Sequence, residues 1–175
     1  MKRIVLLVGI PGSGKTTLSK RLTERGFIRF CADDIRQELW GDAGDQKDPE
    51  TVFNIFFKKL EEALIQGADV VIDNTNINTK HRQPILQRAI TAGYEDIQLW
   101  VLDTPLNICL ERNRSRARAV PDDIVTNMYN SVTSAGRPRS HEGRIIIVRP
   151  GVGDNDFRFF PLKAPGPRPT RTSPH

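Results

Sequence analysis

Apolar runs and amphipathic stretches alternate along this chain. Ile4 to Val8 is an unbroken β-branched and leucine run, the pattern of a strand buried on both faces. Helical spacing follows from Lys15 to Glu24 and stops at Gly26. Phe27 to Cys31 reads as a second strand and Ile35 to Trp40 as a short helix, with a polar loop from Gly41 to Asp48. Pro49 then suits a first helical turn. Phe53, Phe56, Phe57, Leu60 and Leu64 recur at helical spacing, so the stripe is expected to be core rather than ligand site. Asp69 to Asp73 is a third strand with an acidic end. Thr79 to Ala92 is a helix with Pro84 in its first turns, and Ile97 to Leu102 is a fourth strand. Helices from Pro105 to Arg116 and from Pro121 to Val132 precede a fifth strand, Arg144 to Val148. Strands separated by helices imply parallel βαβ units with right-handed crossovers. The expected fold is α/β, a doubly wound parallel sheet of about five strands with helices on both faces.

Composition then sets the boundaries. A length of 175 residues fits one domain, and half of the 12 prolines fall in residues 150–175. The expected organisation is therefore a domain over 1–149 and a Pro-rich tail over 150–175. Phe157, Phe159 and Phe160 are placed to dock back, and disorder is expected from Ala164. The apolar start is too short for a signal peptide and runs into glycines, and no apolar run has the roughly 18–20 residues a bilayer needs. The expectation is a cytoplasmic protein with no membrane partner. Cys31 and Cys109 lack metal-ligand spacing and read as buried reduced thiols, while His81, His141 and His175 are scattered.

The net charge of +5 is uneven: residues 1–111 carry −2, residues 112–149 carry +5 and residues 150–175 carry +2. That asymmetry suits a polyanionic partner such as nucleic acid, although a solvated face gives the same count.

The chemistry starts at Gly9-Ile10-Pro11-Gly12-Ser13-Gly14-Lys15-Thr16, which fits G-x-x-x-x-G-K-[ST] between a buried strand and a helix. This makes the expected fold one of P-loop NTPase type. Glycines let backbone N–H groups wrap a β-phosphate without a Cβ in the way, and the helix N-terminus adds its partial positive charge. The loop from Gly9 through Pro11, Gly12, Ser13 and Gly14 to Lys15, Thr16 and Thr17 is the expected ATP cradle. Lys15 would reach the β/γ oxygens and Thr16 would ligate Mg²⁺.

No N-K-x-D base-recognition motif is present, which argues against a GTPase switch. A small kinase needs a carboxylate at the acceptor hydroxyl and arginines around the transferred group. Phe30-Cys31-Ala32-Asp33-Asp34-Ile35-Arg36 leaves the second strand at the carboxyl edge of the sheet. Asp33 and Arg36 can face one cleft, whereas helix capping alone accounts for only one of the two aspartates. Arg112, Arg114, Arg116 and Arg118 alternate by two, so only one or two of them can serve one phosphate site.

With GIPGSGKTT (9–17), ADDIRQ (32–37), IDNTNIN (72–78) and RNRSRARAVPDDIVTNMYNSV (112–132), the chain resembles the bacteriophage-type polynucleotide 5′-hydroxyl kinases. The resemblance covers roughly residues 1–135, its motifs stand in family order, and the family's frequent phosphatase domain has no counterpart. It implies that Asp33 is the general base, that Arg36 binds a phosphate beside the acceptor hydroxyl and that Arg116 is a lid arginine on the triphosphate, with Arg112 near it. It also implies acceptor contacts at Thr75 and Asn76. Asn74 stands where the family has an acidic residue, so Asp73 is the candidate for a Mg²⁺ contact, with an ordinary strand-end aspartate as the alternative. The lid is one residue shorter than the family's between Arg116 and Pro121. The expected activity is Mg²⁺-dependent phosphoryl transfer from ATP to a polynucleotide 5′-OH of DNA or RNA. A hydroxymethylated pyrimidine base in DNA and a small nucleoside or sugar stand as alternative acceptors. Against a non-enzymatic nucleotide-binding regulator stand Asp33, Arg36 and the arginine lid.

Overall fold

A computed structural model describes residues 2–153 and 155–163. The chain runs β1 (Arg3–Val8), α1 (Lys15–Thr23), β2 (Ile28–Phe30), α2 (Ala32–Trp40), α3 (Pro49–Ile65), β3 (Val70–Ile72) and α4 (Thr79–Thr91). It continues through β4 (Asp96–Leu102), α5 (Leu106–Arg114), α6 (Asp122–Val132), β5 (Arg144–Pro150) and β6 (Phe157–Pro161). One sheet takes the order β2-β3-β1-β4-β5-β6. The first five strands are parallel, and β6 pairs antiparallel with β5.

Alternation along the central strand explains why helices cover both faces. Ile4, Leu6 and Val8 pack with α2, α3 and α4, while Val5 and Leu7 face Leu18 and Leu22 of α1. Because β3 and β4 flank β1, the chain crosses to opposite sides at its carboxyl end, the position where such sheets open a ligand crevice.

Three expectations change. The sheet is mixed and has six strands: it continues past residue 149, and Phe157–Pro161 forms its edge, where the N–H that Pro161 lacks costs least. The helix expected from Ile35 begins at Ala32, so Asp33 and Asp34 lie in its first turn, favourable to the helix dipole, without a side-chain capping bond. The phenylalanine stripe divides: Phe56, Leu60 and Leu64 are buried, but the half-buried Phe53 and Phe57 line the cleft described below. The expected disorder from Ala164 lies outside the described residues. Among the described residues no helix is long and apolar enough to cross a membrane.

Candidate active site

The loop from Gly9 to Gly14 connects β1 to α1 in a conformation only glycine reaches easily. Gly12 and Gly14 have φ of 81° and 107°. A Cβ at Gly12 would stand 2.4 Å from the Cys109 carbonyl oxygen, so α5 packs directly on the loop. Thr104 Oγ1 donates to Ser13 O at 2.9 Å, and Gly9 N donates to Thr75 O at 2.9 Å. The Ser13 hydroxyl is buried and has no partner. Lys15 Nζ donates to Ile10 O at 3.0 Å, tying the lysine back onto the loop. Burial lowers the Lys15 ammonium to about 8; the Asp73 carboxylate partly offsets this, and the Arg116 charge reinforces it. A half-buried lysine whose ammonium is desolvated gains from an anion, and a nucleotide phosphate would supply one.

Around this loop opens a cleft of about 1380 Å³. Its lining holds seven Lys and Arg side chains against four Asp, a balance that suits a phosphorylated ligand. Pro11, Gly12, Gly14, Lys15, Thr16, Thr17, Arg112 and Arg116 line the donor half, and the Phe157 ring lies beside Gly14. Arg112 reaches toward Gly12 O at 3.5 Å.

Asp33 and Arg36 line the same cleft. Arg36 Nη1 donates to Asp33 Oδ1 at 2.6 Å, and Arg36 is buried with its Nε unpartnered. Asp34 lines the cleft as well but pairs with Arg29 rather than Arg36, which accounts for the second aspartate. An ion pair absent from local sequence spacing completes the group: Arg118 Nη2 donates to Asp33 Oδ2 at 3.1 Å.

The segment after β3 joins the halves. Buried Asp73 accepts at Oδ2 from Ser19 Oγ at 2.7 Å and from Arg29 Nε at 2.8 Å. Asn74 Oδ1 accepts from Ala32 N at 2.9 Å, satisfying one free N–H at the start of the helix that carries Asp33. Thr75 lines the cleft. Asn76 lines the cleft too; it is mostly buried, with φ of 50°, and its amide nitrogen donates to Leu7 O, Ile72 O and Asn74 O. These bonds make it a brace for the loop. Beneath it lies fully buried Arg82, bonded to Asn76 O and Gly136 O and paired with Glu142. Sequence reading missed Asn74, Arg82, Thr104 and Arg118 as site supports, since their partners lie far along the chain.

The arginines of residues 112–149 do not form one surface patch. Arg112, Arg116 and Arg118 line the cleft, while Arg114 pairs with Asp122 and Arg149 with Asp103. Cys109 is buried as expected, whereas Cys31 is half-buried and lines the cleft; burial raises Cys109 to about 11 and Cys31 in the same direction, away from the thiolate form.

Comparison with known proteins agrees with this architecture. A family model described as AAA domain matches residues 4–134. The L-seryl-tRNA(Sec) kinase of Methanococcus maripaludis is 26% identical over 143 residues, 76% of this chain and 53% of its own length. A protein of Autographa californica nuclear polyhedrosis virus, named as a bifunctional polynucleotide kinase/RNA ligase, is 30% identical over 134 residues, covering 69% of this chain and 19% of its own. The chain thus spans about half of the first relative and about a fifth of the second. In fold, a chain of the Pnkp1/Rnl/Hen1 RNA repair complex superposes with a TM-score of 0.67 at 22% identity, covering 75% of this chain and 44% of that one. Since the family model runs from β1 to just past α6, this chain belongs to the AAA domain family, as a P-loop phosphotransferase.

Proposed function

We propose that the chain transfers the γ-phosphoryl group of ATP to a hydroxyl carried on nucleic acid, with the 5′-OH of a polynucleotide as first choice. The observation that carries the reading is the Asp33–Arg36 pair, which faces the P-loop across one cleft as a base beside a phosphate-binding cation. Both relatives support the acceptor class, since one is named for a polynucleotide and the other for a seryl-tRNA.

In this reading the acceptor oxygen bonds to the γ-phosphorus as its proton passes to Asp33. The bond from the γ-phosphorus to the β–γ bridging oxygen breaks, and ADP leaves. Loop N–H groups and Lys15 hold the β- and γ-phosphates, with Arg112 and Arg116 beside them. Arg36 and Thr75 orient the acceptor. Thr16 and Asp73 offer hard oxygen donors of the kind Mg²⁺ takes. Among the described residues no group of three or more His, Cys, Asp or Glu could hold a metal ion. When bound, Mg²⁺ supplies charge neutralisation on the phosphates.

The test is a radiolabelled-ATP screen over 5′-OH DNA, 5′-OH RNA, seryl-tRNA, hydroxymethyluracil DNA, nucleosides and sugars. Transfer to a 5′-OH oligonucleotide at the highest kcat/KM is the expected result. Transfer to sugars or nucleosides alone would replace it with a small-molecule kinase.

A further inference from the structure

The segment between α5 and α6 is clamped at its root. The amide of buried Asn113 donates to Val120 O at 2.6 Å, and its Oδ1 accepts from Val120 N at 3.1 Å. Residues 114–119 project from that root as a tip, and its arginines serve different halves of the cleft. Arg116 acts on the donor side, where its charge reaches Lys15. Arg118 crosses to Asp33, with its Nη1 4.0 Å from Asp42 Oδ1 and its guanidinium packed on Gly44.

Asp33 therefore carries two guanidiniums, Arg36 on Oδ1 and Arg118 on Oδ2. The two are not equivalent. Arg36 is buried and fixed three residues along the same helix, whereas Arg118 is half-exposed and reaches in from the tip. Each guanidinium on a carboxylate lowers its basicity, so Asp33 is a better acceptor for a hydroxyl proton with one cation beside it than with two. Of the two partners, Arg118 is the one free to leave. Once displaced it stays tethered at the acceptor mouth, where Asp42 at 4.0 Å only partly answers its charge and Arg36 and Lys80 line the same cleft.

We propose that Arg118 exchanges ligands during turnover, from Asp33 to a phosphate of the bound acceptor. The site then selects an alcohol that bears a phosphomonoester or phosphodiester near the reacting hydroxyl. The inference rests on the nucleic-acid reading and sharpens it: a chain-terminal hydroxyl has a phosphodiester one nucleoside away, and a free nucleoside has none. The hydroxyl proton goes to Asp33 Oδ2 as Arg118 vacates it, and the new bond forms between the acceptor oxygen and the γ-phosphorus.

The experiment measures kcat/KM of the full chain with ATP for four acceptors: a 5′-OH oligonucleotide, the matching nucleoside 3′-phosphate, the bare nucleoside and a phosphorylated sugar. The informative quantity is the preference for a phosphate-bearing over a phosphate-free acceptor. Arg118→Gln should shrink that preference roughly ten- to a hundredfold, the worth of one hydrogen bond between charged groups. Arg118→Lys should restore part of it, because lysine keeps the charge and loses the planar fork. If oligonucleotides are accepted and Arg118→Gln lowers every acceptor alike, or none, the ligand exchange is refuted while the nucleic-acid reading stands. If oligonucleotides fail, the phosphorylated sugar is used and Arg118→Gln removes its advantage, the reverse holds. A wild-type preference for phosphate-free alcohols would overturn both.

Discussion

Replacing Arg82 by alanine tests whether a buried ion pair holds the cleft floor. Arg82 is fully buried, and all five of its N–H groups are used. Nε and Nη2 meet the two Glu142 oxygens at 2.7 and 3.0 Å, Nη1 serves Asn76 O and Gly136 O at 2.8 and 2.9 Å, and Nη2 also reaches Thr79 Oγ1 at 3.1 Å. Alanine would strand a carboxylate whose side chain is 3% exposed, together with two carbonyls. Breaking one partner out of such a pair costs about 3–5 kcal/mol. For a chain of this size that is a fall of roughly 6–20 °C in Tm, read by thermal and urea unfolding. Removing both charges in Arg82→Met/Glu142→Leu should cost less than the two single substitutions together, since no ion is then left unpaired. The acid limb gives a second readout. Burial pushes the Glu142 carboxyl up, but hydrogen bonds from Arg82 and Arg139 N and the Arg82 charge outweigh it and hold the group below its ordinary value. The folded state thus binds this proton less readily than the unfolded chain. The stabilisation is full above about pH 4.5 and drains away as pH falls below it. Arg82→Met should flatten that limb. A cost under about 1 kcal/mol for Arg82→Ala, or strictly additive single substitutions, would refute the reasoning.

Four further outcomes follow from the donor and acceptor halves. Because burial holds Lys15 near 8, ATP affinity measured by calorimetry should fall about tenfold from pH 8 to pH 9–10, with net proton uptake near pH 8; a flat profile would mean the ammonium does not meet the phosphates. Lys15→Ala should abolish transfer and leave the fold intact by circular dichroism. Gly12→Ala meets both a positive φ and the Cys109 carbonyl, so ATP binding should fall at least tenfold, and near-normal binding would show that α5 can move. Asp33→Asn should lower kcat by roughly 10²–10⁴ with ATP affinity little changed; a larger loss from Asp34→Asn would transfer the base role to Asp34.

What could be read from the sequence was what is local. The phosphate loop is legible because its glycines, lysine and threonine are adjacent and their spacing is dictated by one ligand. The strands of the parallel sheet are legible because burial on both faces leaves near-continuous apolar runs. β6 escaped because it is a short edge strand among prolines, with one side open, and its partner β5 imposes no pattern on it. Arg82 and Glu142 lie 60 residues apart, and each alone reads as a solvated charge. Asn74 serves a helix start 42 residues upstream, and Arg118 a carboxylate 85 residues upstream, so neither leaves a local trace. Asn76 matched a family position and lines the cleft, but the inward bonds of its amide nitrogen depend on a backbone conformation that the sequence does not display.

These long-range bonds differ in what they fix. Consecutive residues at the end of β3 each bind a different element: Asp73 holds Ser19 and Arg29, Asn74 holds the start of α2, Thr75 O receives Gly9 N, and Asn76 holds Leu7 O. The separation between the phosphate loop and the helix carrying Asp33 and Arg36 is therefore set by buried or half-buried bonds to one strand end. Such a frame keeps reacting groups in place without reorganisation at each turnover. Arg116 and Arg118 belong instead to a tip that is rooted at Asn113 and otherwise tied by exposed ion pairs, Arg114 to Asp122 and Arg118 to Asp33. Substitution within residues 73–76 should disturb donor and acceptor halves together, whereas substitution in the tip should alter one half and leave the other. The division follows from burial: the frame's polar groups have no water to fall back on when a bond is lost, while the tip's arginines do.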